Sequence, residues 1–149
     1  MQFIFYSDFN VYEAAIPERL HHCDIGLFKY QIEYTRECLR IHDSNIDKLI
    51  DQRLKQIPKH HSLKKFNNGI NDLSRLTASE YRALMQQMVF ILDQILPNNN
   101  MLNKKLVNVF VLWNNMYMIS RLDEFNESDL VLFKVRLLLL PVIGVLCCN

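Results

Sequence analysis

The chain has 149 residues, of which half are hydrophobic and 22% charged, with a formal net charge of +1. That size suits one domain with a sizeable core, and that balance excludes a disordered or collagen-like chain. Three glycines and four prolines are too few for a turn-rich β-sandwich, and near-neutral charge leaves any surface for nucleic acid to a local patch.

Residues 2–6, Gln-Phe-Ile-Phe-Tyr, suit a short strand or a packed arm, being too short for a helix. The four cysteines at 23, 38, 147 and 148 include no Cys-x-x-Cys pair, and the N-terminus has no basic, apolar leader. The thiols therefore read as reduced and the chain as intracellular.

Asp24 is the expected N-cap of a helix reaching Ile41, with Leu27, Tyr30, Tyr34, Cys38 and Ile41 on one face and Phe28, Ile32 and Leu39 widening it. Ser44 and Asp47 resemble a capping box ahead of Ile46, Leu49, Ile50, Leu54 and Ile57, and Pro58 ends that helix. Asn67-Asn68-Gly69 predicts a turn, because these residues tolerate positive φ. Thr77-Ala-Ser-Glu80 is a capping box, with Leu76 and Tyr81 placed for a hydrophobic staple. Tyr81, Leu84, Met85, Met88, Leu92, Ile95 and Leu96 then form an apolar stripe stopped by Pro97.

A further helix is predicted over 101–122, its inner face including Leu102, Leu106, Val109, Phe110, Trp113, Met116 and Tyr117. Asn126 caps the last helix, in which Leu130, Phe133, Leu137 and Leu140 recur at helical spacing. The run 137–148 is apolar but too short for a bilayer-spanning helix and holds Pro141, so no membrane span is expected. It reads either as a docking or dimerising segment or as a tail tucked into the core. The fold class is mainly α, a single helical domain of five to six helices after a short extended segment. An arm covers 1–23, the helical domain 24–140 and the apolar tail 141–149.

Two constellations carry candidate chemistry. Glu18, His21, His22 and Asp24 crowd ahead of the first helix, and carboxylate oxygens beside imidazole suit Mg²⁺ or Mn²⁺. The competing reading makes Asp24 a cap and leaves Glu18 in solvent. No acid lies between Asp51 and Asp72, where Arg53, Lys55, Lys59, Lys64 and Lys65 gather beside His60 and His61. Such a patch can neutralise phosphates, or can simply be a solvated loop. Met85, Met88, Phe90, Trp113, Met116 and Met118 read as core, although adaptable methionines also suit partner grooves. No phosphate-cradling glycine loop or Gly-x-Ser-x-Gly elbow occurs.

Three blocks resemble transposases of the CACTA-like superfamily, in particular the Plavaka-type elements of fungi. Val11–Phe28 looks like the family's Pro-Asp-Arg-Met/Leu-His-x-x-Asp/His-x-Gly-x-Phe block. His60–Ser74 with Thr77–Tyr81 is similar to His-x-x-Leu-Arg-x-Phe-x-x-Gly-Ile-x-x-Leu-Ser followed by Thr-Gly-x-Glu. Phe110–Tyr117 resembles a third, looser helix motif.

The resemblance implies descent from a DNA transposase with an RNase H-like core, three acids and two divalent ions, Mg²⁺ in intact members. It implies DNA as a partner and the nucleus as the compartment. It places Glu18 at the second acidic position with His21 beside it and makes 24–140 largely the family's helical insertion; the candidate metal ligands are Glu18 and, from the crowding of acids and histidines alone, Asp24. Glu18 stands where the family has Asp, and the first and third acids have no counterpart in this sequence. The expectation is thus a truncated fragment without catalytic activity of its own and without a demonstrable cofactor, retaining DNA contact through Arg53–Lys65. The alternative is a helical interaction or oligomerisation module with no nucleic-acid role.

Overall fold

A computed structural model describes residues 20–61 and 63–139, with side chains described over 23–61 and 63–135. The extended segment at 2–6, Glu18 and the tail at 141–149 lie outside the described residues. Among those described, the chain is mainly α, with five α-helices and no strand. A π-helical stretch, Leu20–Leu27, runs directly into α1, Phe28–His42. Then come α2, Ile46–Gln56, a short 3₁₀ turn at Leu73–Arg75, α3, Ala78–Leu92, α4, Asn100–Ile119, and α5, Glu127–Leu139. No helix is long and apolar enough to cross a membrane among the described residues.

The third helix is the hub. It packs against α1, α2, α4 and the π-helical stretch, while α5 packs against α4. Its start is set locally. The Thr77 hydroxyl accepts from the Glu80 backbone amide, and the Glu80 carboxylate accepts from the Thr77 amide at 2.7 Å, closing the capping box. The apolar stripe behind it, Tyr81, Leu84, Met85, Met88 and Leu92, is buried as its spacing requires. Phe28 of α1 sits against this helix and α4, with ring centroids 6.5 Å from Tyr81, 6.0 Å from Phe110 and 5.6 Å from Trp113.

The inner face of α1 is narrower than the expected one. Phe28, Ile32, Cys38 and Leu39 are buried as expected, with Thr35 beside them, whereas Leu27, Tyr30, Tyr34 and Ile41 are exposed. Both sets have helical spacing, so periodicity alone allows either, and the aromatic fit of Phe28 against α3 and α4 selects the first. The start also differs, because Asp24 is not an N-cap. It lies inside the π-helical stretch, whose i→i+5 bonding re-phases side chains relative to a 3.6-residue turn.

Asp47 likewise does not form a box with Ser44. Its two oxygens accept from Arg36 and Arg40, each at 2.7 Å, and no side chain caps α2. Helix α3 stops at Leu92, ahead of Pro97. Gln94 takes a left-handed φ of 49°, and the Arg53 guanidinium donates to the carbonyls of Ile91, Asp93 and Gln94. Cys38 is buried and disulfide-bonded, so the thiols are not all reduced. Disulfides depend on which sulfurs the fold brings within reach, and spacing along the chain does not show that.

Candidate nucleic-acid interface

Of the cations of interest, Arg53 and Lys55 lie in the last turn of α2 and Lys59, Lys64 and Lys65 in the connection that follows, which the fold holds by several independent ties. Gln87 of α3 donates to the Lys64 carbonyl at 2.8 Å. Phe66, Ile70 and Leu73 are buried. The Asp51 carboxylate accepts from the Ile70 amide at 2.9 Å, and Arg36 donates to the Ile70 carbonyl at 3.1 Å. Tyr81 donates its hydroxyl to the Leu73 carbonyl at 2.6 Å, and burial, with Glu33 and Asp72 nearby, pushes that phenol up to about 12. Gly69 turns the chain at a φ of +72°. Six residues of the second motif block, Phe66, Gly69, Ile70, Leu73, Thr77 and Glu80, therefore have packing or backbone roles here.

Against this frame the five candidate cations divide. Arg53 is committed to the C-terminal carbonyls of α3. Lys64 pairs with Glu80 at 3.0 Å. The hydrogen bonds from the Thr77 backbone and hydroxyl, and then Lys64, hold Glu80 down to about 2, so this partner stays ionised. Lys55, Lys59 and Lys65 have no ion-pair partner among the described residues, and His60 and His61 stack with ring centroids 4.1 Å apart. Three lysines thus remain able to meet phosphate oxygens.

The acidic cluster does not assemble as a metal site in the part described. Glu18 lies outside it, and of His21 only the backbone, in the π-helical stretch, is described. Asp24 is 0% exposed, and its Oδ2 accepts from Arg82 Nη1 of α3 at 3.1 Å. Among the described residues no group of three or more His, Cys, Asp or Glu could hold a metal ion.

Family models, curated proteins and solved structures all give no match to this chain.

One functional candidate was legible in the sequence only as the alternative to a core reading, a methionine-lined partner groove. Helices α3 and α4 leave a groove of about 720 Å³ between them, bordered also by His61, Leu63 and Lys64. Phe90 and Met118, read as core from their type, line it at 75% and 62% exposure. The signal available in the sequence was their offset from the buried stripe: Phe90 is two residues past Met88, and Met118 two past Met116.

Proposed function

We propose that this chain is a helical module derived from a CACTA-like, Plavaka-type transposase, contacting the DNA backbone without performing strand transfer by itself. The observation that supports it best is the acid-free stretch 52–71, in which Lys55 at the end of α2 and Lys59 and Lys65 in the connection after it are left uncommitted, while Gln87, Asp51 and Arg36 tie that connection at Lys64 and Ile70. A fixed loop loses little freedom on binding, so each lysine–phosphate contact keeps most of its value. Phosphate contact sets affinity and register without reading sequence. Asp24 supports the non-catalytic half, since its buried carboxylate is already engaged by the Arg82 guanidinium.

Filter binding to duplex DNA across salt concentrations tests this reading. Three phosphate contacts give a slope of log K against log[salt] of about −3. Replacing Lys55, Lys59 and Lys65 together by Gln flattens it. A salt-independent or absent interaction of the unaltered chain would discard the phosphate-contact reading.

A second reading, a self-associating helical module, is favoured by α5, where Leu130, Val131, Leu132 and Val135 are all exposed. Sedimentation equilibrium separates the two: this reading requires a dimer that Val131→Glu with Val135→Glu converts to monomer.

A further inference from the structure

The groove between α3 and α4 has a chemistry of its own and shares only His61, Leu63 and Lys64 with the lysine loop. One wall is Arg82, Gln86 and Val89 of α3, at i, i+4 and i+7, with Phe90 beside them; the other is Asn114 and Met118 of α4, with Arg121 just past its end. From 82 to 90 the α3 wall runs about 12 Å, the length of roughly two helical turns. Asn114 donates to the Met85 carbonyl at 3.1 Å, which fixes the spacing of the two walls. The Gln87–Lys64 and Lys64–Glu80 bonds fix the bordering loop. The site is therefore formed before anything enters it.

Its lining is apolar and cationic together. Val89, Phe90 and Met118 line it alongside His61, Lys64, Arg82 and Arg121, and no carboxylate is among the lining residues. Two of these cations already hold carboxylates, Lys64 with Glu80 and Arg82 with Asp24. Arg82 uses only Nη1 for that pair, and Arg121 has no ion-pair partner among the described residues. Phosphate binding needs no apolar floor, whereas an amphipathic helix does. Exposed Phe and Met on two packed helices accept an i, i+3, i+4, i+7 stripe, with methionine adapting to its shape.

We infer that the α3–α4 groove is a docking site for an acidic amphipathic helix of a protein partner, its apolar stripe on Phe90 and Met118 and its carboxylates on Arg82 and Arg121. This is independent of the phosphate-contact reading, because Lys55, Lys59 and Lys65 do not line the groove.

The probe is a fluorescein-labelled synthetic helix with Leu at i, i+3, i+4 and i+7 and Glu elsewhere, titrated with the full chain and followed by anisotropy at physiological salt. The expected result is saturable binding, weakened about tenfold or more by Phe90→Glu and by Arg121→Glu. Both side chains are exposed, and circular dichroism checks that the variants stay folded; Met118→Glu serves as the second apolar variant. The same helix with Lys in place of every Glu is expected not to bind. Absence of binding by the Glu helix, equal binding by the Lys helix, or indifference to the groove variants each overturns the assignment. Displacement of the helix by duplex DNA from the Lys55→Gln, Lys59→Gln, Lys65→Gln chain would give the groove to nucleic acid and overturn it too.

Discussion

The Asp51 carboxylate occupies the space that any side chain on Gly69 would need. The same carboxylate accepts the Ile70 amide hydrogen bond, so the turn and α2 are tied at a point where only glycine fits. Two requirements meet at this residue, a left-handed φ of +72° and the absence of a Cβ. Gly69→Ala should therefore cost about 2–3 kcal/mol, the sum of the left-handed penalty and a displaced hydrogen bond. Urea denaturation measures it. In the double variant with Asp51→Ala, the summed cost should fall short of additivity, because the carboxylate that clashes is gone.

Arg53 is predicted to matter for stability and not for DNA. Its guanidinium serves the last carbonyls of α3, where cationic donors are favoured by the helix dipole. Arg53→Met should lower stability by about 2 kcal/mol, as for other hydrogen bonds from a charged group, while leaving the salt slope of DNA binding unchanged. The lysine substitutions should do the reverse. A slope that falls with Arg53→Met would return this residue to the interface.

Removal of Arg82 should be more damaging than removal of its partner. Arg82→Met leaves the Asp24 carboxylate buried without a counter-charge, at a cost of about 3 kcal/mol. Asp24→Asn keeps the shape without the charge and should cost less. Thermal melts of the unaltered chain should give the same Tm with and without Mg²⁺. A Mg²⁺-dependent rise in Tm that Asp24→Asn abolishes would restore a metal role for this carboxylate.

Acid should weaken the start of α3. Glu80 is held at about 2 in the folded chain, below its ordinary value of 4.5. A carboxylate depressed in this way contributes stability that is complete above 4.5 and is lost as pH falls towards 2. Tm should drop across that window, and Glu80→Gln should flatten the drop. Asp47 and Asp72 also sit below their ordinary values and add to the same slope. For Asp47, burial pulls the other way but is outweighed by hydrogen bonds from Arg40 and Arg36; for Asp72 the Ser74 side chain is the main cause. At neutral pH, Thr77→Ala should cost about 1 kcal/mol, the worth of a helix cap.

What the sequence determined by itself is what neighbours three or four residues apart decide. Thr77 and Glu80 close their box, Asn126 accepts from the Asp129 amide at 2.9 Å, and the stripe from Tyr81 to Leu92 is buried where its spacing put it. These are short-range bonds and a single periodicity, and both are written in consecutive residues. The site was legible only as a composition: the acid-free stretch marked the right loop but could not divide its cations. Arg53 reaches carbonyls 38 to 41 positions away, and Arg82 reaches Asp24 across 58. Those pairings put Arg53 at the end of α3 and Asp24 opposite Arg82, and the Lys64–Glu80 pair decided which lysines stay available. The face of α1 and the exposure of Phe90 and Met118 were settled in the same way. Two faces of one helix had equal claims by spacing, and only the helices packed against them could choose.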